Sequence, residues 1–395
     1  MTTSRADGLL RRPGASQATF LELFFDLAFV FALAQLSYAL VQHLTWSGAF
    51  QASVLLLAVW WVWFTTAWIT ELFDPHRPAI QMLTIAMMVG ALIMAVALPD
   101  AFGAQGLVFA GVYVAIHIGR DLFLVVALRG HDLRRSTIRG LFWFGLSALP
   151  WLAGALVHGP ARGALWTLAV ALDYTAYVLR HPTPRIGRTP AAQLPSAAEH
   201  LAERYRQFYI IALGELILLA GLTMRGTAFT GHRTVAFLVS ITTAVLLWRI
   251  YIFRAGELLS AAIAAAPDPA RRARFAFHTH LAMVAGVVVT SVGAELVIAH
   301  PLGHSRPAWA AVVLGGPALF LAGRATFEYV VFARVSRSRL TGLLALAALA
   351  PAMPHVPPLL SGVAATAVLA GVAAADAARA RRHPPEPLSL RGARP

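Results

Sequence analysis

Residues 19–40 read TFLELFFDLAFVFALAQLSYAL, and this stretch decides the fold. It is apolar and long enough to cross a bilayer, yet Glu22 and Asp26 sit one helical turn apart on one face of it. Charge inside hydrocarbon costs several kcal/mol, so both carboxylates must meet a partner, water or a bound ion. The polar segment before the run, with Arg5, Arg11 and Arg12, superficially resembles the start of a signal peptide. The run is long and lacks a clean small-residue cleavage site, so it reads as a retained first helix.

The rest of the chain repeats the pattern. Its 395 residues are 58% hydrophobic and 13% charged, against about 25% charged in a soluble domain. Apolar runs near 20–43, 48–69, 79–98, 104–128, 138–157 and 163–180 are followed by six more near 206–223, 233–254, 275–299, 307–333, 340–353 and 357–378. The expected fold is an all-α polytopic membrane protein of about twelve transmembrane helices. The eleventh run is short, with Pro351 and Pro354 blurring its end. All 32 basic residues are Arg, and the net charge is +14. No basic soluble domain accompanies that charge, so nucleic acid is not an expected partner. The arginines cluster instead in alternate loops. With both termini cytoplasmic, the outer loops hold only Arg162, Arg225, Arg233 and Arg306, the asymmetry that membrane orientation requires. The absence of cysteine excludes disulfides and thiolate metal sites.

The two sets of six runs look like a duplication with parallel topology. Glu71 falls on Glu257, Gly119-Arg120 on Gly323-Arg324, Gly140 on Gly342, Asp173 on Asp376, and Arg180-His181-Pro182 on Arg382-His383-Pro384. One excess, SAAIAAAPDPARRARF at 260–275, falls in an inner loop, where insertions are tolerated. The expected organisation is a cytoplasmic segment 1–19, a first six-helix repeat 20–182, a linker 183–205, a second repeat 206–384 and a tail 385–395.

Polar residues inside the runs are the candidate functional groups. Glu22 and Asp26 form either a cation or proton site or a hydrogen-bonded partner for an Arg, with Arg120 the natural candidate. His117, Arg120 and Asp121 share one stripe and could relay protons or neutralise one another. His200, Glu203 and Arg204 share a face in the seventh run, and Glu215 lies three turns on, as the repeat counterpart of Asp26. Gly214 beside it would permit close helix approach as readily as serve function. Arg324 and Glu328 are placed to neutralise each other. His278, His280 and Glu295 include metal-ligand types, but the two histidines lie on different helix faces, so no metal site is expected. Asp173 and Asp376 read as interfacial, and Trp60, Trp61, Trp63 and Trp68 as packing and interface anchors rather than a ligand cage. No nucleotide loop, nucleophile elbow or zinc-protease helix is present.

Phe20-Leu-Glu22-Leu-Phe-Phe-Asp26-Leu-Ala-Phe-Val, His200-Leu-Ala-Glu203-Arg204-Tyr, Leu213-Gly214-Glu215 and the His280, Gly286, Gly293, Glu295 run resemble the bacterial low-temperature-requirement A (LtrA) family over nearly the whole chain. Phe20 stands where that family usually has Trp. The resemblance implies a multi-pass bacterial plasma-membrane protein, and marks Glu22, Asp26, Glu203, Arg204, Glu215 and His280 as signature positions without assigning a reaction. Phe24-Phe25-Asp26-Leu-Ala-Phe-Val is also similar to the first-helix motif of a potassium-channel family of six-span repeats, with Phe25 in place of Ser.

The expected function is a cation-coupled transporter or permease for a small solute. Asp26 and Glu215 are its paired coupling carboxylates, Glu22 and Glu203 secondary acids, and Arg120, Arg204 or Arg324 countercharges. His117, Asp121, His280 and Glu295 complete the candidate pathway. Alternatives are a cation channel constricted by apolar residues of the first and seventh helices, a membrane enzyme or lipid-handling protein, and a sensor or scaffold. The expected partners are the lipid bilayer and a small solute, monovalent cation or proton. No cofactor is expected, and the chain is compatible with a homo-oligomer.

Overall fold

The computed structural model describes residues 7–11, 18–190, 198–225, 229–253 and 269–382. Glu257, most of the 260–275 loop, His383, Pro384 and the 385–395 tail lie outside the described residues. Among the described residues the chain forms twelve α-helices and no strand beyond two isolated bridges, Leu10–Phe73 and Thr183–Gly187. The first six are α1 (Phe20–Gln42), α2 (Trp46–Leu72), α3 (Pro78–Ala97), α4 (Gly106–Ala127), α5 (Leu133–Leu156) and α6 (Pro160–Val178). The second six are α7 (Ala198–Arg225), α8 (Gly231–Tyr251), α9 (Pro269–Ala299), α10 (Pro307–Phe332), α11 (Arg337–Leu349) and α12 (Pro358–Arg382).

Nine of these are long and apolar enough to cross a membrane, not twelve. The exceptions are α5, α6 and α11. At about 1.5 Å per residue, the 13 residues of α11 fall well short of a hydrocarbon core of about 30 Å. Gly140, Gly145, Ser147, Pro150 and Gly154 dilute α5, and α6 carries Arg162 and Asp173. The seventh helix starts earlier than its apolar run: α7 takes in the polar turn from Ala198, because hydropathy marks the apolar part of a helix and not its end.

Helix starts follow local chemistry. Thr19 caps α1 in a reciprocal box: Glu22 N–H donates to Thr19 Oγ1 (3.4 Å) and Thr19 N–H to Glu22 Oε2 (2.7 Å). Proline opens α3, α6 and α10, where its missing N–H has no intrahelical role.

The core centres on α2, which is buried on nearly all sides. Trp60, Trp61 and Trp63 are fully buried against Tyr205, Phe208 and Phe277, so they pack the interior rather than anchor an interface. The outward face of α1 shows Phe20, Leu23, Phe24, Leu27 and Phe31 instead. An apolar exterior around a polar-containing interior suits a lipid solvent.

Neighbour relations recur in order. In the first half α1 packs on α2 and α3, then α3 on α4, α4 on α5, α5 on α6 and α6 on α2; the second half gives the same chain of contacts from α7 to α12. The halves meet where α1 touches α7 and α9 and where α2 touches α7. The contact of α9 with α10 is the tightest by glycine. A Cβ on Gly286 would lie 2.4 Å from Phe320 N, and one on Gly316 2.5 Å from Thr290 N, so these backbones touch only because side chains are missing. Gly214 has no such role, since a Cβ there would meet nothing within 4 Å.

Candidate functional site

The seam between α1 and α7 gathers four of the candidate residues, Glu22, Asp26, Arg204 and Glu215, while His280 and Glu203 lie elsewhere. The two helices contribute polar pairs in one parallel register: Glu22 meets His200 and Asp26 meets Arg204, each pair separated by 178 positions in sequence. Arg204 grips Asp26 with a two-pronged fork, Nη1 to Oδ2 at 2.8 Å and Nη2 to Oδ1 at 2.7 Å. Trp63 of α2 adds an indole N–H to Oδ1 at 3.0 Å. One turn away, Glu22 Oε2 caps the helix start while Oε1 lies 2.9 Å from His200 Nε2. Arg11 closes this end, its Nη1 donating to Thr70 O (2.7 Å) and standing 2.9 Å from the same His200 nitrogen. Glu22, Asp26, His200 and Arg204 are all fully buried. A buried carboxylate with bidentate guanidinium and indole donors is a satisfied ion pair.

The expectation that Arg120 serves these acids is not met. Arg120 Nε donates to its own neighbour Asp121 Oδ1 at 2.8 Å, and its guanidinium lies over Phe144. Helical periodicity tells which residues share a face, not which helix that face meets.

Further along the same seam stands a different kind of station. Glu215 of α7 is fully buried, and Ser291 Oγ of α9 donates to its Oε2 at 2.8 Å. Ser37 of α1 lies alongside it, in the register that joins Asp26 to Arg204. Glu295, one turn beyond Ser291 and half-buried, is the other charged group beside Glu215, and its Oε2 has no hydrogen-bond partner among the described residues. No basic side chain pairs with Glu215 among the described residues. The structure therefore does not bring Asp26 and Glu215 together: they lie three turns apart, roughly 16 Å along the helices. Phe29 and Phe208, in edge-to-face contact at 5.8 Å, occupy the apolar stretch between the two stations.

The remaining candidates scatter. His117 is buried between Tyr113 and Phe144, with neither ring nitrogen hydrogen-bonded among the described residues. His280 is a satisfied core histidine, Nδ1 on Ala276 O (2.8 Å) and Nε2 on Tyr251 OH (3.2 Å), and stacks on Tyr205. Glu203 is about one-third exposed and pairs with Arg206. Arg324 meets Glu328 at 3.3 Å as expected, but Arg339 joins them and also holds Asp376 at 2.6 Å. Asp376 and Asp173 are buried rather than interfacial; Tyr113 donates its hydroxyl to Asp173 at 2.7 Å. No three metal-ligand side chains gather among the described residues.

Sequence reasoning missed Trp63, Ser291, Arg339 and Arg162. Ser291 sits one turn before Glu295 on α9, a spacing that could have flagged it. Arg162, read as an outer-loop charge, is buried and ties two connections together through the carbonyls of Ala101, Gly103, Gly154 and Val157. A lone Arg after a helix-opening proline carries no periodic signal.

Comparison with known proteins agrees with the family resemblance. Residues 17–374 match the family described as bacterial low temperature requirement A protein (LtrA). The chain is 37% identical over 319 residues, 80% of this chain and 78% of the relative, to a protein of Rhizobium meliloti (strain 1021) described as uncharacterized. No solved structure matches. A match across nearly the whole chain means that the chain belongs to the bacterial LtrA family.

Proposed function

We propose that this membrane protein is a carrier for a small solute, coupled to protons or a monovalent cation, and that Glu215 is its coupling group. The observation that carries this reading is the unmatched carboxyl. Glu215 is enclosed by α1, α7 and α9 with the Ser291 hydroxyl as its hydrogen-bond partner, a second carboxyl nearby, and no countercharge among the described residues. Such a group is stable inside a bilayer when it holds a proton or a cation, and each exchange of that passenger changes the charge of the seam. Asp26 takes a different part: its fork with Arg204 fixes α1 to α7 and closes one end of the seam. The recurring neighbour order supports two parallel six-helix halves meeting there, and the Arg distribution supports an N-terminus in the cytoplasm of a bacterial cell, with the protein in its plasma membrane.

The contact of Phe29 with Phe208 favours a second reading, a cation channel with this pair as its constriction. Flux into sealed proteoliposomes, with and without a pH gradient and with sodium or potassium, separates the two. A carrier saturates and loses coupled flux in Glu215→Gln. A channel gives single-channel current that survives that substitution and grows in Phe208→Ala. Coupled flux at the wild-type rate in Glu215→Gln would end the carrier reading.

A further inference from the structure

The Glu215 station has an acidic neighbour toward the far end of the seam. Tyr205 stacks on His280 and, further along, Ser291 donates to Glu215, so α7 and α9 run parallel, as α1 and α7 do. Beyond Ser291 in that direction comes Glu295, one turn on along the same face of α9 and one turn before the helix ends at Ala299. A helical side chain leans toward its own N-terminus, so Glu295 reaches back toward Ser291 and Glu215. The two carboxyls differ in access. Glu215 is 0% exposed, whereas Glu295 is half-buried, with Oε2 enclosed and part of the side chain at the surface.

The free oxygens point to the passenger. Glu215 Oε1 and Glu295 Oε2 are both enclosed and lack a hydrogen-bond donor among the described residues, while Glu215 Oε2 takes the Ser291 hydroxyl. Around Glu215, α9 presents Ser291 and Glu295 and α1 presents Ser37; α2 and α8, also packed on α7, bring it no charged side chain among the described residues. A water-sized probe reaches none of Glu215, so a metal cation would have to part the helices and would find few oxygens to replace its hydration shell. A proton needs no room, and it turns a bare buried acceptor into a donor. In the other direction along the seam stand Phe29 and Phe208, and then the Arg204 fork on Asp26, so the exchange route from Glu215 runs past Glu295.

Resting on the reading of Glu215 as the coupling group, we propose that its passenger is a proton and that Glu295 relays this proton between Glu215 and the membrane face opposite the N-terminus. On loading, the O–H bond of Glu295 breaks as an O–H bond forms at Glu215, and the negative charge passes from Glu215 to Glu295. Glu295 then takes a new proton from the surface. Release runs the same steps in reverse.

The test is infrared spectroscopy of the full chain in lipid nanodiscs, which needs no transported solute. A protonated-carboxyl band that disappears in Glu215→Gln, and shifts without disappearing in Glu215→Asp, belongs to Glu215. That band is expected at neutral pH, unchanged when potassium is replaced by sodium, and shifted after transfer into deuterium oxide. In Glu295→Gln the band should persist while its deuterium shift slows roughly a hundredfold, and Glu295→Asp should restore most of the rate. A structural role for Glu295 alone would not separate the band from its exchange rate in this way. Absence of the Glu215 band at neutral pH, or its loss on adding sodium at constant pH, would overturn the proton as passenger. Exchange at the parental rate in Glu295→Gln would overturn the relay. Each of these outcomes leaves the carrier reading standing, because that reading fails on a different measurement, wild-type coupled flux in Glu215→Gln.

Discussion

Two stations share the α1–α7 seam, and they solve the problem of a buried acid in opposite ways. At Asp26 a guanidinium fork and an indole N–H surround the carboxylate, and every partner is as buried as the acid. At Glu215 the hydrogen-bond partner is the Ser291 hydroxyl, and the charged group beside it among the described residues is another carboxyl. The first carboxylate finds its countercharge within the protein. The second needs something from outside it. The lesson is that burial of an acid in a membrane helix does not itself mark a pathway; what matters is whether the protein supplies the countercharge.

The largest effect should come from breaking the complete station. Arg204→Gln strands Asp26 without its cation, and a half-broken buried pair typically costs about 3–5 kcal/mol. Thermal unfolding of the purified protein should register that loss, and the double variant Asp26→Asn with Arg204→Gln should recover much of it. No loss in the single variant would mean that the station is not the brace described here.

Acid pH must be separated from either station before flux is compared across pH. His181, just after α6, is buried, and that burial, with Arg120 and Arg139 nearby, pushes its imidazole down to about 4 from an ordinary 6.5. The folded state thus disfavours the proton that the unfolded chain accepts. Stability is complete above pH 6.5 and declines as pH falls toward 4, by up to about 3 kcal/mol. Unfolding followed over that range should show the decline, and His181→Gln should flatten it.

A smaller perturbation sharpens the comparison by reaching one station alone. A Cβ at Gly286 would drive α9 from α10, at roughly 1–3 kcal/mol, and would shift Ser291 relative to Glu215 while sparing the Asp26 fork. Gly214→Ala, with open space around it, should leave stability nearly unchanged. Unfolding of Gly286→Ala and Gly214→Ala in the same detergent checks the pair, and equal behaviour would remove the close-packed α9–α10 contact from the account.

Much of this was legible in the residues. The run at 20–43 became α1 at Phe20–Gln42, the acids of the first helix lie on one inward face, and the described residues are all-helical, with nine helices able to span where about twelve were expected to. The partner of those acids was not legible. Matching repeats places Asp26 opposite Glu215, whereas the packed register places it opposite Arg204, because sequence alignment of two halves and side-by-side contact between them are different relations. Trp63 escaped for a related reason: within an aromatic run every tryptophan has the same apolar signature, and only the third dimension shows which indole N–H reaches a carboxylate. Gly214 shows the converse, since its place beside a signature acid suggested a packing contact that the neighbouring helices do not make.

The most direct measurement compares thermal unfolding of Asp26→Asn and Glu215→Gln, purified in one detergent. Asp26→Asn should unfold many degrees below the parent, because Arg204 keeps its charge and loses its partner. Glu215→Gln should match the parent or exceed it, because no countercharge is stranded. Equal destabilisation of the two, or a Glu215→Gln that alone fails to fold, would contradict the division of the seam into a closed ion pair and an open carboxyl.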